Sequence, residues 1–422
     1  MQETGKIEQQ ERIYIIQPIF DDNYPVWEKE TISLIESAGT SHAGTIRQKI
    51  REVNPATVIG PGKLAELSAR LEGLDVTVLY NGDLSPTQTL NISRALGDKK
   101  VIDRTTLILD IFAKNAKTNE GKLQVELAML QYMYPRLKGK GAALSRLGGG
   151  IGTRGPGETK LETDRRRIRQ RIAYLKTRLA SLKNTRDLID KRRSKENITR
   201  ISLIGYTNTG KSTLLNALTE ADVYAENKLF ATLDPTSRYL FIDKTPFLLT
   251  DTVGFLQNLP HNLISAFHST LESALQCDLA LIVCDAADDY EMQLQTTRQT
   301  LQELGCTAPC LIVMNKSETI ENFDGYPPKS IFISAKQKTG LEQLKGEILR
   351  SFRENYLETT LHIPYNRMHE YSGVKRYLTE CAYSYLDDHA DISVRIPRIY
   401  QKKLTPFLGQ EEGQTAEKDE QE

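Results

Sequence analysis

The chain has 422 residues, with 55 Lys and Arg balanced by 55 Asp and Glu to a formal net charge of zero. That length holds roughly three domains, each big enough to bury a core, and 39% hydrophobic with 26% charged residues excludes a chain too polar to fold. Five cysteines without a Cys-x-x-Cys pair indicate neither a disulfide framework nor a zinc site, and no apolar run nears the ~20 residues of a membrane span. Glu3, Lys6, Glu8, Glu11 and Arg12 leave no signal-peptide apolar region, so a cytoplasmic protein is expected.

A neutral total would argue against a nucleic-acid partner, but the charge is unevenly spread. Residues 1–135 carry 15 basic and 18 acidic side chains, residues 136–200 carry 20 and 6, residues 201–351 carry 11 and 18, and residues 352–422 carry 9 and 13. One segment at +14 is therefore masked by three acidic ones. Such asymmetry speaks of partners rather than fold.

In chain order, the fold class expected is α/β. Residues 1–103 alternate strand candidates (Ile13–Ile16, Thr57–Ile59, Val76–Leu79) with helical segments (Val26–Ala38, Lys63–Leu71), the pattern of a small α/β domain with a mainly parallel sheet. The turn Gly60-Pro61-Gly62-Lys63 reads as the start of a helix. A long helical stretch follows over Arg104–Leu137, with Leu123, Leu127, Leu130, Tyr134 and Leu137 spaced by four and three. Of the twenty residues from Gly139 to Glu158, eight are glycine, and a second helix then carries Ile168, Ile172, Leu175, Leu179 and Leu182 at the same spacing. Residues 104–197 thus read as an antiparallel helical hairpin with a Gly-rich basic loop, its apolar stripes serving helix packing.

From 198 to 356 strands and helices alternate, with Ile201–Ile204, Phe247–Leu249, Leu279–Val283, Leu311–Met314 and Ile331–Ile333 as buried parallel strands. Residues 357–409 suggest a small βαβ domain, with strands Leu361–Pro364 and Ile392–Ile396 around a helix near Met368–Leu386. Residues 410–422 read as a disordered acidic tail.

Chemistry concentrates in the fourth quarter-turn of this pattern, after Ile201–Ile204. Gly205-Tyr206-Thr207-Asn208-Thr209-Gly210-Lys211-Ser212 matches G-x-x-x-x-G-K-S between a strand and the helix that Ser212 and Thr213 open. Glycines let backbone amides curl around phosphates, aided by the helix N-terminus. Lys211 is expected on the β- and γ-phosphates and Ser212 on Mg²⁺. Asp251-Thr252-Val253-Gly254 ends another strand, where Asp251 can hold the Mg²⁺ water shell and the Gly254 amide can approach the γ-phosphate. Asn315-Lys316-Ser317-Glu318 and Ser334-Ala335-Lys336 end two more strands, and ligands gather at such carboxyl ends.

Together these stretches resemble the five guanine-nucleotide motifs, with Thr232 in Leu229-Phe230-Ala231-Thr232-Leu233-Asp234-Pro235-Thr236 matching the switch I threonine. That segment, Asp-Thr-Val-Gly-Phe at 251–255, the Gly-rich run Gly148–Lys160, Leu123–Ala128 and Asp103-Arg104-Thr105 resemble HflX-type GTPases over roughly residues 10–400. The resemblance implies an N-terminal α/β domain with a helical hairpin, a Ras-like P-loop domain, GTP or GDP with Mg²⁺, and a place in the cytoplasm on the large (50S) ribosomal subunit as a monomer. It implies Thr232 as a second Mg²⁺ ligand, Lys211, Thr232 and Gly254 as the catalytic groups, and Phe230–Asp234 as nucleotide contacts. Some members split stalled ribosomes, and the family is linked to heat stress and ribosome assembly.

Two positions depart from the general GTPase pattern. Phe255 stands where Ras-type enzymes have the water-orienting glutamine, so intrinsic hydrolysis is expected to be slow; the resemblance implies stimulation by the large subunit. Asn208 matches the asparagine of K⁺-stimulated GTPases, or equally a loop residue tolerating an unusual backbone angle. Glu318 replaces the aspartate of Asn-Lys-x-Asp, and a missing charge-assisted contact to guanine would cost roughly 1.5–3 kcal/mol. Arg165-Arg166-Arg167, Arg169, Arg171 and Lys191-Arg192-Arg193 are either a solvated helix face or, beside Arg146 and Arg154 in the glycine loop, a contact to rRNA; the resemblance favours RNA for Gly139–Glu158 and Arg165–Arg193. The six histidines (His42, His261, His268, His362, His369, His389) show no metal-ligand spacing. An assembly factor holding nucleotide as a structural ligand with little turnover is the alternative function.

Overall fold

The computed structural model describes residues 11–22, 24–145, 156–193, 198–219, 229–230, 235–242, 245–256, 277–398, 401 and 404–407. Contacts divide the chain into two compact units, one of residues 1–182, 224–235 and 252–272, the other of residues 183–223, 236–251 and 273–422. The tail at 410–422, the glycines 148–150 and residues 231–234 of the switch I segment fall outside the described residues.

The first unit opens with β1 (Arg12–Ile19), α1 (Tyr24–Ser37), β2 (Ser41–Lys49), α2 (Pro61–Leu71), β3 (Thr77–Tyr80), α3 (Pro86–Ala95) and β4 (Val101–Asp103). The sheet runs β2-β1-β3-β4, with every pair parallel. Central β1 and β3 are apolar on both faces because helices cover both, and Ile16, Val78, Leu67, Leu71 and Ile92 meet in the core.

The expected strand at Thr57–Ile59 is instead a turn. Asn54 accepts the Ala56 and Thr57 amides on its side chain, and Val58 sits at φ +60° bridging back to Asn54. An Asx turn ahead of Gly60-Pro61 leaves no room for extended chain. The strand that does form, β2, is a half-buried edge whose polar sequence carries only Ile46 inward.

The expected helix at 104–137 is two helices, α4 (Arg104–Asn115) and α5 (Asn119–Ser145). Ala116 is extended, and Thr118 Oγ1 accepts the Gly121 amide, capping a new helix. With α6 (Pro156–Arg193), α5 makes the expected antiparallel hairpin. Arg171 forks onto Glu126 at 2.7 and 2.8 Å, and Arg169 reaches the Tyr134 hydroxyl at 2.7 Å two turns further along α5.

The second unit carries β5 (Thr199–Ile204), α7 (Lys211–Thr219), β6 (Thr236–Ile242), β7 (Thr245–Asp251), β8 (Leu279–Asp285), α8 (Tyr290–Glu303), β9 (Cys310–Asn315), β10 (Ile331–Phe332) and α9 (Leu341–Asn355). Its sheet runs β10-β9-β8-β5-β7-β6, parallel except for β6. Strand β6 was not among the expected strands, although its run Tyr239-Leu240-Phe241-Ile242 favours one; it is an edge with Leu240 and Ile242 buried and Tyr239 and Phe241 exposed. Ile201, Leu203, Phe247, Leu281, Val313 and Leu344 form the core beneath the site.

The remainder of that unit corrects the βαβ expectation. β11 (Tyr356–Pro364), β12 (Thr379–Tyr385) and β13 (His389–Pro397) form an antiparallel sheet of order β11-β13-β12. In the stretch read as one helix, Met368–Val374, α10, is α-helical and Lys375–Tyr377 adds one 3-10 turn. Thr379–Tyr385, read as the end of that helix, alternates with the period of two of a strand and pairs antiparallel with β13. Leu361, Ile363, Ile392 and Val394 pack on Tyr371, Leu404 and Phe407 from one sheet face.

Candidate nucleotide-binding site

Strand β5 delivers the chain to Gly205 at φ +153°, where a Cβ would lie 2.2 Å from the Val283 carbonyl oxygen of β8. Only glycine permits that approach. The turn closes at Gly210, φ +87°, whose missing Cβ leaves space for the Asn315 amide, 2.3 Å from where it would stand. Asn208 is exposed at φ +62°, so its backbone angle already accounts for asparagine there. Helix α7 then begins, and its amide end faces the turn that precedes it.

Lys211 is buried, and its ammonium donates to the Gly205 and Tyr206 carbonyls at 3.2 and 2.6 Å. Burial pushes its pKa down to about 8, an effect partly opposed by Asp251. The Thr207 hydroxyl is buried with no hydrogen-bond partner among the described residues. A buried cation and an unmatched hydroxyl beside a helix N-terminus suit a phosphate chain. Ser212 Oγ donates to Asp251 Oδ2 at 2.6 Å, and Asp251 is fully buried at the end of β7. A hydroxyl and a carboxylate are the hard oxygen donors that Mg²⁺ prefers, so the residues fit the ion.

On the base side, Asn315 ends β9 and clamps two loops. Its Nδ2 donates to the Thr209 carbonyl at 2.8 Å and its Oδ1 accepts the Ala335 amide at 2.9 Å. Lys316 takes φ +63°, and its ammonium lies 2.6 Å from Asp285 Oδ2. The Ser317 amide donates to the Ile333 carbonyl at 3.1 Å, and Glu318 is exposed in the single turn Ser317–Thr319. Ser334 Oγ accepts the Gln337 amide, and Lys336 points to solvent. The structure thus gathers Gly205–Thr213, Asp251, Asn315–Glu318 and Ser334–Lys336 at the carboxyl ends of one sheet. Asp285 belongs with them; its partner lies 31 residues on, so no local pattern marks it.

Phe230 and residues 252–256 group with the first unit. Asn115 Nδ2 donates to the Phe230 carbonyl at 2.8 Å, the Leu229 amide donates to Ser37 Oγ at 2.9 Å, and the Phe112 and Phe230 rings meet edge-on at 4.5 Å. Val253 and Phe255 are buried, so the residue in the water-orienting position is withdrawn from solvent as well as apolar. Thr232, with Ala231, Leu233 and Asp234, lies outside the described residues.

Comparison with known proteins agrees with this geometry. Residues 28–113 match the profile described as GTP-binding GTPase N-terminal, residues 115–193 the GTP-binding GTPase middle region, and residues 200–316 the 50S ribosome-binding GTPases. The GTPase HflX of Caldanaerobacter subterraneus subsp. tengcongensis is 47% identical over 82% of this chain and 83% of that one. The chain belongs to the HflX family of GTPases. The HflX of Escherichia coli (strain K12) is 38% identical over 89% of this chain and 91% of its own. A GTP-binding protein from the archaeon Sulfolobus solfataricus, solved with GDP, is 25% identical with a TM-score of 0.45, covering 81% and 98% of the two chains. As a family member the chain binds guanine nucleotide and hydrolyses GTP.

The HflX hairpin uses part of its own basic cluster internally. Arg171 and Arg169 hold α5 as described, and the Arg165 guanidinium lies 5.5 Å over the Tyr134 ring. Arg166 and Arg167 remain exposed, with Asp164 4.0 Å from Arg167. The side chains of Lys191, Arg192 and Arg193, and residues Arg146 and Arg154, lie outside the described ones. No helix among the described residues is long and apolar enough to cross a membrane.

Proposed function

We propose that this ribosome-associated GTPase is a nucleotide-dependent switch on the large subunit, acting in ribosome splitting or rescue, protein synthesis or ribosome biogenesis. The observation that carries the reading is the +14 charge confined to residues 136–200 of an otherwise acidic chain, borne on a hairpin that exposes Arg166 and Arg167. Arginine forks onto phosphate and stacks on unpaired bases, so rRNA is the fitting partner for the Gly139–Glu158 loop and the Arg165–Arg193 helix.

In the nucleotide site, Lys211 neutralises the β- and γ-phosphates, and the Gly205–Thr213 amides line them. Ser212 and Thr232 would hold Mg²⁺ directly and Asp251 through water, where the ion balances charge between the two phosphates. The Gly254 amide reports the γ-phosphate, Asn315, Glu318 and Ala335 read the base, and Lys316 is steadied by Asp285. Hydrolysis releases the 229–236 and 251–255 segments and so changes affinity for the ribosome.

Co-sedimentation with 30S, 50S and 70S particles in GTP-like and GDP states tests the partner. Binding to 50S is expected to fall by about three decades between about 50 and 200 mM salt; a flat response would remove the rRNA reading. Hydrolysis measured in K⁺ and in Na⁺, with and without 50S, is expected to be fastest with the subunit present. For the base, GTP is expected to outcompete ATP, and equal competition would mean that Glu318 does not read guanine.

Phe255 favours a second reading, in which bound GTP and not its hydrolysis does the work. Equal splitting with GTP and with a non-hydrolysable analogue is the outcome that selects it.

A further inference from the structure

The histidines have no metal-ligand spacing along the chain, yet the C-terminal sheet brings two of them to one carboxylate. His362 on β11 stands opposite Asp391 on β13, and His389 precedes Asp391 by two residues on the same strand. Side chains two apart on a strand, and those directly opposite across a pair, share a face. All three therefore lie on the side away from the core, while Leu361, Ile363 and Ile392 take the other.

The geometry is close to that of a ligand set. His362 Nδ1 lies 2.5 Å from Asp391 Oδ1, and His389 Nε2 lies 3.3 Å from the same oxygen. One donor atom from each residue can be chosen so that all lie within 4.8 Å of one another. A tetrahedral ion with bonds of ~2.0–2.2 Å separates its ligands by roughly 3.3 Å, so the His362–Asp391 contact must open and the two imidazole nitrogens, within 4.8 Å, settle to that span, by side-chain rotations. Backbone pairing across β11 and β13 holds the rest in register. Partial exposure of all three side chains gives an ion a way in.

A further contact orients one ligand. His389 Nδ1 donates to Asp388 Oδ1, which in a neutral ring leaves the Nε2 lone pair turned toward Asp391. Imidazoles that bind metal commonly donate their second nitrogen to a carboxylate in this way. Two imidazoles and one carboxylate suit zinc and its neighbours, not the all-oxygen preference of Mg²⁺ or Ca²⁺.

We propose that His362, His389 and Asp391 form a binding site for a divalent transition metal of the Zn²⁺ class, with a fourth position left for water and Asp388 as an orienting group. The site is independent of the nucleotide site and of the ribosome reading.

Calorimetric titration of the full chain with ZnCl₂, with GDP and excess Mg²⁺ present, tests it. One Zn²⁺ per chain is expected. His362→Ala and His389→Ala should each weaken binding by at least about tenfold, and Asp388→Asn by about tenfold, with GDP affinity and circular dichroism unchanged. Co²⁺ bound in its place should give d–d absorption without a thiolate charge-transfer band. Wild-type Zn²⁺ binding no tighter than that of the His362→Ala, His389→Ala double variant would overturn the proposal. So would a thiolate band that survives in that double variant, because it assigns the ion to cysteines.

Discussion

Two mainly parallel sheets in this chain carry polar side chains at the carboxyl ends of their strands, and the described residues arrange them differently. In the N-terminal sheet most of the polar groups pair with one another, with Arg104 Nε left buried and without a partner among the described residues. Arg104 donates to Thr31 Oγ1 at 2.9 Å and Asn81 Oδ1 at 3.1 Å, and pairs with Glu30, the two side chains only 10% and 8% exposed. Asn81 in turn donates to Gln17 at 2.6 Å, and Asp103 accepts the Tyr132 hydroxyl, the Leu84 amide and the Thr106 amide.

The GTPase sheet has a buried Lys211 whose partners among the described residues are backbone carbonyls, beside a Ser212–Asp251 pair on a turn opened by Gly205 and Gly210. Polar residues at strand ends do not make a site. The glycine turn is what sets the second sheet apart, because glycine lets backbone amides curl around phosphates.

The contrast can be broken from either side. The largest expected effect is Arg104→Met, which breaks a largely buried ion pair with Glu30 and should cost about 3–5 kcal/mol in denaturant unfolding. GDP affinity measured on the same variant should stay within about twofold of wild type, since the network is closed to ligand; a parallel loss would mean that the two sheets are not separable.

Lys211→Met is expected to act with opposite signs on two readouts. Phosphate release should fall about 100- to 1000-fold, the scale for removing one group that stabilises transition-state charge. The melting temperature of nucleotide-free protein should rise, because a methionine relieves the burial that pushes Lys211 down to about 8. A lower melting temperature would show that Lys211 stabilises the fold as Arg104 does.

Tyr132→Phe is the mildest test. Asp103 loses one donor and keeps Thr106 and Arg136, so a loss of about 1–2 kcal/mol is expected by thermal unfolding. A loss as large as that of Arg104→Met would make the hydroxyl, not the ion pair, the centre of the closed network.

What could be read in the residues follows how local each signal is. The P-loop was legible because strand, glycine turn and helix are consecutive, and Asn315, Ala335 and Asp251 because each closes an apolar strand. Edge strand β2 was hidden, since a half-buried edge needs few apolar residues, whereas β6 carries the legible run Tyr239–Ile242 that the expected strands left out. The break between α4 and α5 falls at Ala116, in the polar run 114–122 ahead of the apolar rhythm that starts at Leu123, and Thr118 caps the new helix there. Ser37 and Asn115 are ordinary residues of α1 and α4 until Leu229 and Phe230 pack against them. Leu361–Pro364 and Ile392–Ile396 read as strands, but nothing in either segment gave the direction of their pairing.

The sequence by itself determined the P-loop motif with its strand and helix, five of the six strands of the GTPase sheet and the segregation of positive charge, because motifs, apolar runs and charge counts are properties of neighbouring residues. Only the tertiary structure decided which hairpin arginines are held by Glu126 and Tyr134, that Asp285 holds Lys316, and that His362, His389 and Asp391 share one sheet face. Those are meetings of residues from 27 to 45 positions apart. Loop closure makes such pairings depend on the whole fold rather than on any local pattern.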